Sequence, residues 1–173
     1  METLRSGNDQ QAVFEALQAM TRQLPPTIQG KLPYDTLSEL SSCLMNDTIF
    51  EIVKGLHEIQ HVIEKQLLQQ RMNILHRHKS EKDTLVKTFQ INSQLDPRRT
   101  NEFEKEKAKL AEKQKDEIKE FDLGLIKQLD QKVTDQQTTL EKAGVPGFFV
   151  TDDPNDIQTQ THLLTFITQL SRR

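Results

Sequence analysis

Tryptophan is absent from this chain, tyrosine occurs once and aromatic residues together reach only 5%. With so few of the side chains that bury most area, a large globular core has little to be built from. Cysteine is almost missing too. Cys43 stands alone, which excludes an intramolecular disulfide framework and suits a reducing compartment. Between Leu40 and Leu44 it reads as a small buried apolar group rather than a reactive thiol. The six glycines are scattered and make no phosphate-cradling loop. No stretch approaches the ~20 apolar residues that span a bilayer, so membrane insertion is not expected. Glu2, Asn8 and Asp9 near the start do not read as a secretory signal. The expectation is a soluble chain of the nucleus or cytoplasm, not secreted. A net charge of −3, from 23 basic and 26 acidic residues, gives no bulk pull toward nucleic acid or anionic membrane.

What the chain does have is charge, 28% of 173 residues, and periodic apolar positions. Periodicity at low hydrophobicity favours long solvated helices over disorder. Residues 1–8 read as disordered. Residues 9–47 read as two short helices, the first with Val13, Leu17, Met20 and Leu24 on one face, stopped at Pro25-Pro26. Residues 48–143 read as a long helical hairpin with its turn near 92–97. Residues 144–173 read as a Gly/Pro/Phe loop and a final helix carrying Ile157, Leu163, Leu164, Phe166, Ile167 and Leu170. The expected fold class is all-α: a long antiparallel coiled-coil hairpin with short N-terminal helices and a C-terminal helix packed at its base.

In the first arm Ile49, Ile52, Leu56, Ile59 and Ile63 recur at spacings of three and four, the pattern of a coiled-coil seam. A shifted register through Leu68, Met72 and Leu75 takes over and then admits Lys79 and Lys82. The return arm reverses the gradient. Between Arg98 and Glu120 stand eight basic and seven acidic side chains, and beyond them Leu125, Ile126, Leu129, Val133 and Leu140 restore an apolar stripe. Folding the chain at about Leu95 sets Ile126 near Ile63 and Leu140 near Ile49. Ile49, Leu56, Ile63, Ile126, Val133 and Leu140 are therefore the residues expected to hold the hairpin.

Thr36 with Glu39, and Thr48 with Glu51, stand at capping-box spacing. Ala143-Gly144 reads as a helix stop with Gly in the left-handed conformation and Val145 packing back. Asp153-Pro154 with Asp156 supplies a cap, a Pro at the first helical position and an acidic first turn. The apolar loop Gly144–Val150, with its Phe148 and Phe149, is either a wedge in the bundle or a docking segment. The wedge is preferred, because exposed apolar segments are costly.

The sharpest chemical motif is His57-Glu58-Ile59-Gln60-His61. In zinc proteases two histidines one helical turn apart bind Zn²⁺ and the glutamate between them activates water. Here Leu56 and Ile59 would face the seam and turn His57 and His61 outward. Glu64 and Leu67 stand where the extended motif needs Gly and a third His. Solvated helical histidines are the preferred reading, with His57 and His61 as the only metal candidates and no cofactor expected. His76-Arg77-His78-Lys79 with Arg71 and Lys82 reads as a solvated basic face, too sparse in charge and aromatics for nucleic acid. Gly55 and Gly124 inside the arms each cost roughly 1 kcal/mol against Ala. A close-approaching helix or simple tolerance would explain them.

Several blocks carry a family resemblance. They are residues 48–56 and 58–61, Leu129–Val133, Asp135–Gln137, Thr139–Val145 and Gly147–Thr151. These blocks resemble the gonadal family, which takes in the insect gonadal protein and the vertebrate DiGeorge syndrome critical region protein six. The similarity covers about residues 15–170 and loosens through the charged tip. It implies a setting in gonadal expression and neural-crest cell migration, with a largely nuclear vertebrate form. It implies no catalytic residue and no cofactor. The reading that follows is a non-enzymatic coiled-coil adaptor that binds protein partners, with self-association as an option. The alternatives are a zinc-dependent hydrolase using residues 57–61 and a nucleic-acid-associated nuclear protein.

Overall fold

In the computed structural model residues 7–93 and 97–171 are described, and every regular element among them is helical. Six α-helices follow in order among these residues: α1 (Gly7–Thr21), α2 (Pro26–Gln29), α3 (Tyr34–Cys43), α4 (Asp47–Ser93), α5 (Thr100–Lys142) and α6 (Pro154–Ser171). A single 3₁₀ turn, Pro97–Arg99, leads into α5. The expected disorder over 1–8 falls mostly outside the described residues, but Gly7 and Asn8 already belong to α1. The expected turn near 92–97 also falls partly outside them, and α4 continues to Ser93.

Sequence chemistry explains most boundaries. Pro25 and Pro26 stop α1 and start α2, where Pro26 takes a first-turn position that lacks an N–H partner anyway. This one-turn helix was not expected from the sequence. Gln29 anchors it by donating from Nε2 to the carbonyls of Leu24 (2.6 Å) and Arg22 (3.1 Å). Neither capping box forms as expected. α3 opens behind Pro33 with no side-chain cap, and Asn46, rather than Thr48, caps α4 by accepting the Thr48 N–H at 3.0 Å. The Asp153 carboxylate caps α6 through the N–H groups of Asn155 (2.8 Å) and Asp156 (3.2 Å), with Pro154 in the first turn. α5 ends in a Schellman motif. Gly144 adopts φ +81, its N–H reaches the Glu141 carbonyl, and the Val145 N–H reaches that of Leu140, both at 3.0 Å.

The chain divides into two units, Met1–Gln60 with Gln131–Arg173, and His61–Asp130. The first holds the hydrophobic core, to which every helix of the unit contributes. Leu17, Leu40, Leu44, Leu140, Leu163 and Ile167 are fully buried, with Ile28, Ile49 and Val53 nearly so. Each such side chain is worth about 1.5–3 kcal/mol relative to exposure. Ile49 and Leu140 are both in this core and Leu56 packs against it, while Val133 is half-buried.

The second unit is an antiparallel helix pair with a different interior. Among its described residues only Leu67, His78 and Gln114 are buried. Cross-helix partners have residue numbers adding to between 192 (Phe89 with Phe103) and 195 (His78 with Glu117). The sequence expectation of Ile126 near Ile63 adds to only 189, so the true register is shifted by about five residues. Ile63 is half-buried, but Ile126 is 53% exposed, and Leu125 takes the inward position instead. On α4 the less exposed residues of this unit are Ile63, Leu67, Arg71, Ile74, His78, Glu81, Leu85 and Phe89. They cover 26 residues in seven steps, about 3.7 per turn, closer to an eleven-residue repeat than to the heptad expected from sequence.

Candidate interaction surfaces

In the first unit, the loop between α5 and α6 is held by two glutamines that helix geometry places one behind the other. Gln137 on α5 and Gln160 on α6 are buried, and the Gln137 amide donates to Gln160 Oε1 at 2.9 Å. Gln160 Nε2 donates to the carbonyls of Gly147 (3.3 Å) and Phe149 (3.1 Å). Gln137 both accepts from the Thr151 N–H (3.4 Å) and donates to the Thr151 carbonyl (3.2 Å). The loop backbone thus finds side-chain partners in place of a neighbouring strand. Farther along, Thr151 Oγ1 donates to Asp156, and Lys31 pairs with the same carboxylate at 2.6 Å.

That clamp sets opposite fates for the two phenylalanines. Phe148 is 5% exposed and lies in the core, so it is a wedge. Phe149 is 44% exposed and Val150 57%. An apolar pair displayed on a hydrogen-bonded loop has lost little further entropy to give up on contact with a partner. Gly144 and Gly147 both need positive φ to shape the turn.

In the second unit polar residues occupy the positions between the helices. Arg71 makes a two-pronged pair with Asp122, Nε to Oδ1 at 2.9 Å and Nη2 to Oδ2 at 3.1 Å. His78 Nε2 lies 3.1 Å from Glu117, to which Arg77 is also bonded. Gln114 donates to the His78 carbonyl (2.9 Å) and to Glu81 (3.1 Å), while its own buried Oε1 has no partner among the described residues. The basic stretch 76–79 expected to be a solvated face is therefore partly structural: His78 is 6% exposed. Leu68, Met72 and Leu75, expected in the seam, instead face outward at 60%, 44% and 43% exposure. Ile59 from the first register is likewise 55% exposed in its own unit.

The remaining candidates carry less. His57 is half-buried and His61 exposed, and among the described residues no three His, Cys, Asp or Glu side chains gather as metal ligands would. Cys43 is half-buried, and burial pushes its thiol pKa up, away from the reactive thiolate. Nothing lies within 4 Å of where a Cβ would stand on Gly55 or Gly124, so both are tolerated rather than required. Among the described residues no helix is long and apolar enough to cross a membrane.

Comparison with known proteins supplies a family. The model of the DiGeorge syndrome critical region 6 (DGCR6) protein family matches residues 4–173. The chain belongs to the DGCR6 family. It is 40% identical over 161 residues to the gonadal protein gdl of Drosophila melanogaster, covering 92% of this chain and 78% of that protein. It is 36% identical over 166 residues to protein DGCR6 of Gallus gallus, covering 93% of this chain and 83% of that one. No solved structure matches it at a significant level.

For this DGCR6-family chain, the residues that position the surfaces are ones a search for apolar periodicity passes over. Gln137 sits inside one of the blocks carrying the resemblance, yet nothing in its neighbourhood marks it as a clamp. Arg71 and Asp122 carried a usable signal. They are opposite charges on the two arms, and pairing them fixes the register that apolar spacing missed.

Proposed function

We propose that this chain is a non-enzymatic helical adaptor that binds another protein through the loop carrying Phe149 and Val150. The observation that supports this most is the division of labour at the paired phenylalanines. Phe148 is committed to the core, while Phe149 and Val150 are held out by the Gln137–Gln160 clamp. A large exposed aromatic on a fixed backbone is the kind of residue that dominates binding energy in interfaces. The relatives are named gonadal protein gdl and protein DGCR6, and neither name assigns a reaction.

Affinity capture of partners from native tissue by the full chain tests the reading, followed by binding measurements with the purified partner. Phe149→Ser is expected to leave the melting temperature within a few degrees of the parent. It should weaken binding by about 30-fold or more, the effect of an interface hot spot. Phe148→Ser should instead destabilise the fold by about 3–5 kcal/mol, as large-to-small core changes do. Full binding by Phe149→Ser would remove the loop from the interface. One zinc retained per chain through dialysis, and lost in His61→Ala, would revive the hydrolase alternative.

A further inference from the structure

The second unit is turned partly inside out. Its interior positions hold Arg71, His78, Glu81 and Gln114, whereas Leu68, Met72 and Leu75 of α4 and Ile126 of α5 are exposed. On a helix the residues at 64, 68, 72, 75, 79 and 82 fall in one stripe, about 100° round from the row that faces α5. Leu75, Lys79 and Lys82 share a groove of about 360 Å³ with Ile118 and Lys115 of α5, so the stripe and that side of α5 form one face. A helix pair with three buried residues among those described, and with Leu68, Met72, Leu75 and Ile126 exposed along one flank, lacks the third layer that would cover them.

We propose that a second copy of this chain covers this face, its α4 antiparallel to the first about a two-fold axis near residues 71 and 72. This goes beyond the adaptor reading, which concerns the other unit. The charge order along the stripe selects both occupant and direction. Glu64 precedes the apolar centre, while Lys79 and Lys82 follow it, joined by Lys115 of α5. An antiparallel copy sets Leu68 against the second Leu75 and Glu64 against the second Lys79, and the two-fold axis repeats each contact. A parallel copy would put Lys79 on Lys79, Lys82 on Lys82 and Glu64 on Glu64, repelling at both ends. From His61 to Lys82 the stripe runs roughly 32 Å at ~1.5 Å per residue. Two helices wide, that patch is about the ~800 Å² per partner of a stable interface.

Sedimentation equilibrium on the full chain should give a dimer of twice its 20.0 kDa mass. Leu68→Glu combined with Leu75→Glu should give a folded monomer. Lys79→Glu keeps the apolar centre and should weaken association at least about tenfold, since two attractions become two repulsions. Adding Glu64→Lys to Lys79→Glu should restore it. A chain that stays monomeric at about 100 μM would overturn the proposal. So would a dimer indifferent to both the Leu68/Leu75 pair and Lys79→Glu. Failure of Glu64→Lys to rescue would overturn the antiparallel register. Phe149→Ser should leave the mass unchanged. A monomer that still binds its partner through Phe149 would sink this inference and leave the adaptor reading standing.

Discussion

Gly147 has φ +87, and a Cβ added there would stand 2.8 Å from Leu163 Cδ1 in the core. Both terms oppose a side chain: left-handed backbone costs an L-residue about 1–2 kcal/mol and overpacking about 1–3 kcal/mol. Gly147→Ala should therefore lower stability by about 2–5 kcal/mol in urea unfolding. At Gly144 nothing lies within 4 Å, so Ala there meets only the backbone term. A second contrast tests the packing. Leu140→Ala should cost about 2–5 kcal/mol and Ile59→Ala about 0.5 or less, because Leu140 is fully buried and Ile59 is 55% exposed. Residues whose role follows from local backbone were legible in the sequence: Gly144, Val145 and Asp153 do what their neighbours imply. Ile59 and Ile126 were misread because an isoleucine at helical spacing looks the same whether a partner helix reaches it or not.

Helices as elements were legible wherever Pro, Gly or a sustained period marked them, and only the single turn of α2, hidden between two prolines and a glycine, was missed. Register between elements was not legible from apolar spacing. Leu68-Met72-Leu75 is greasier than Leu67-Arg71-Ile74-His78, yet the latter row faces α5 because its charges find partners there. Those partners predict a pH dependence. Arg71 holds the Asp122 carboxyl below its ordinary 3.8, and Lys31 does the same for Asp156. The Gln114 amide, with help from Arg77, holds Glu81 below 4.5. Folded values lie below unfolded ones, so the stabilisation is whole above about pH 5 and drains away as pH falls through the folded values. Thermal melts followed by circular dichroism from pH 6 down to 2.5 should show this loss. Asp122→Asn should be less stable at pH 6 and show a shallower decline.

At the scale of the whole molecule, the two units differ in what holds them. Where the first has fully buried leucines from α1, α3, α5 and α6, the second buries, among its described residues, two polar residues and Leu67. Opening free energy follows buried apolar contact. Hydrogen exchange should accordingly be slowest in α1, α6 and residues 131–142, and clearly faster between residues 100 and 113. Protection equal in the two would contradict this account. The connectivity carries one more consequence. The whole of the second unit is inserted between the two parts of the first. Leu17, Leu40 and Val53 therefore leave the ribosome long before Leu140, Leu163 and Ile167, which complete their core. At ~5–20 residues per second, a nascent chain spends roughly ten seconds with half a core and nothing to close it. The helix pair, closed by local contacts, can form in that interval. The better-packed unit is thus the last to be finished, and its exposed first half is where a chaperone would be needed.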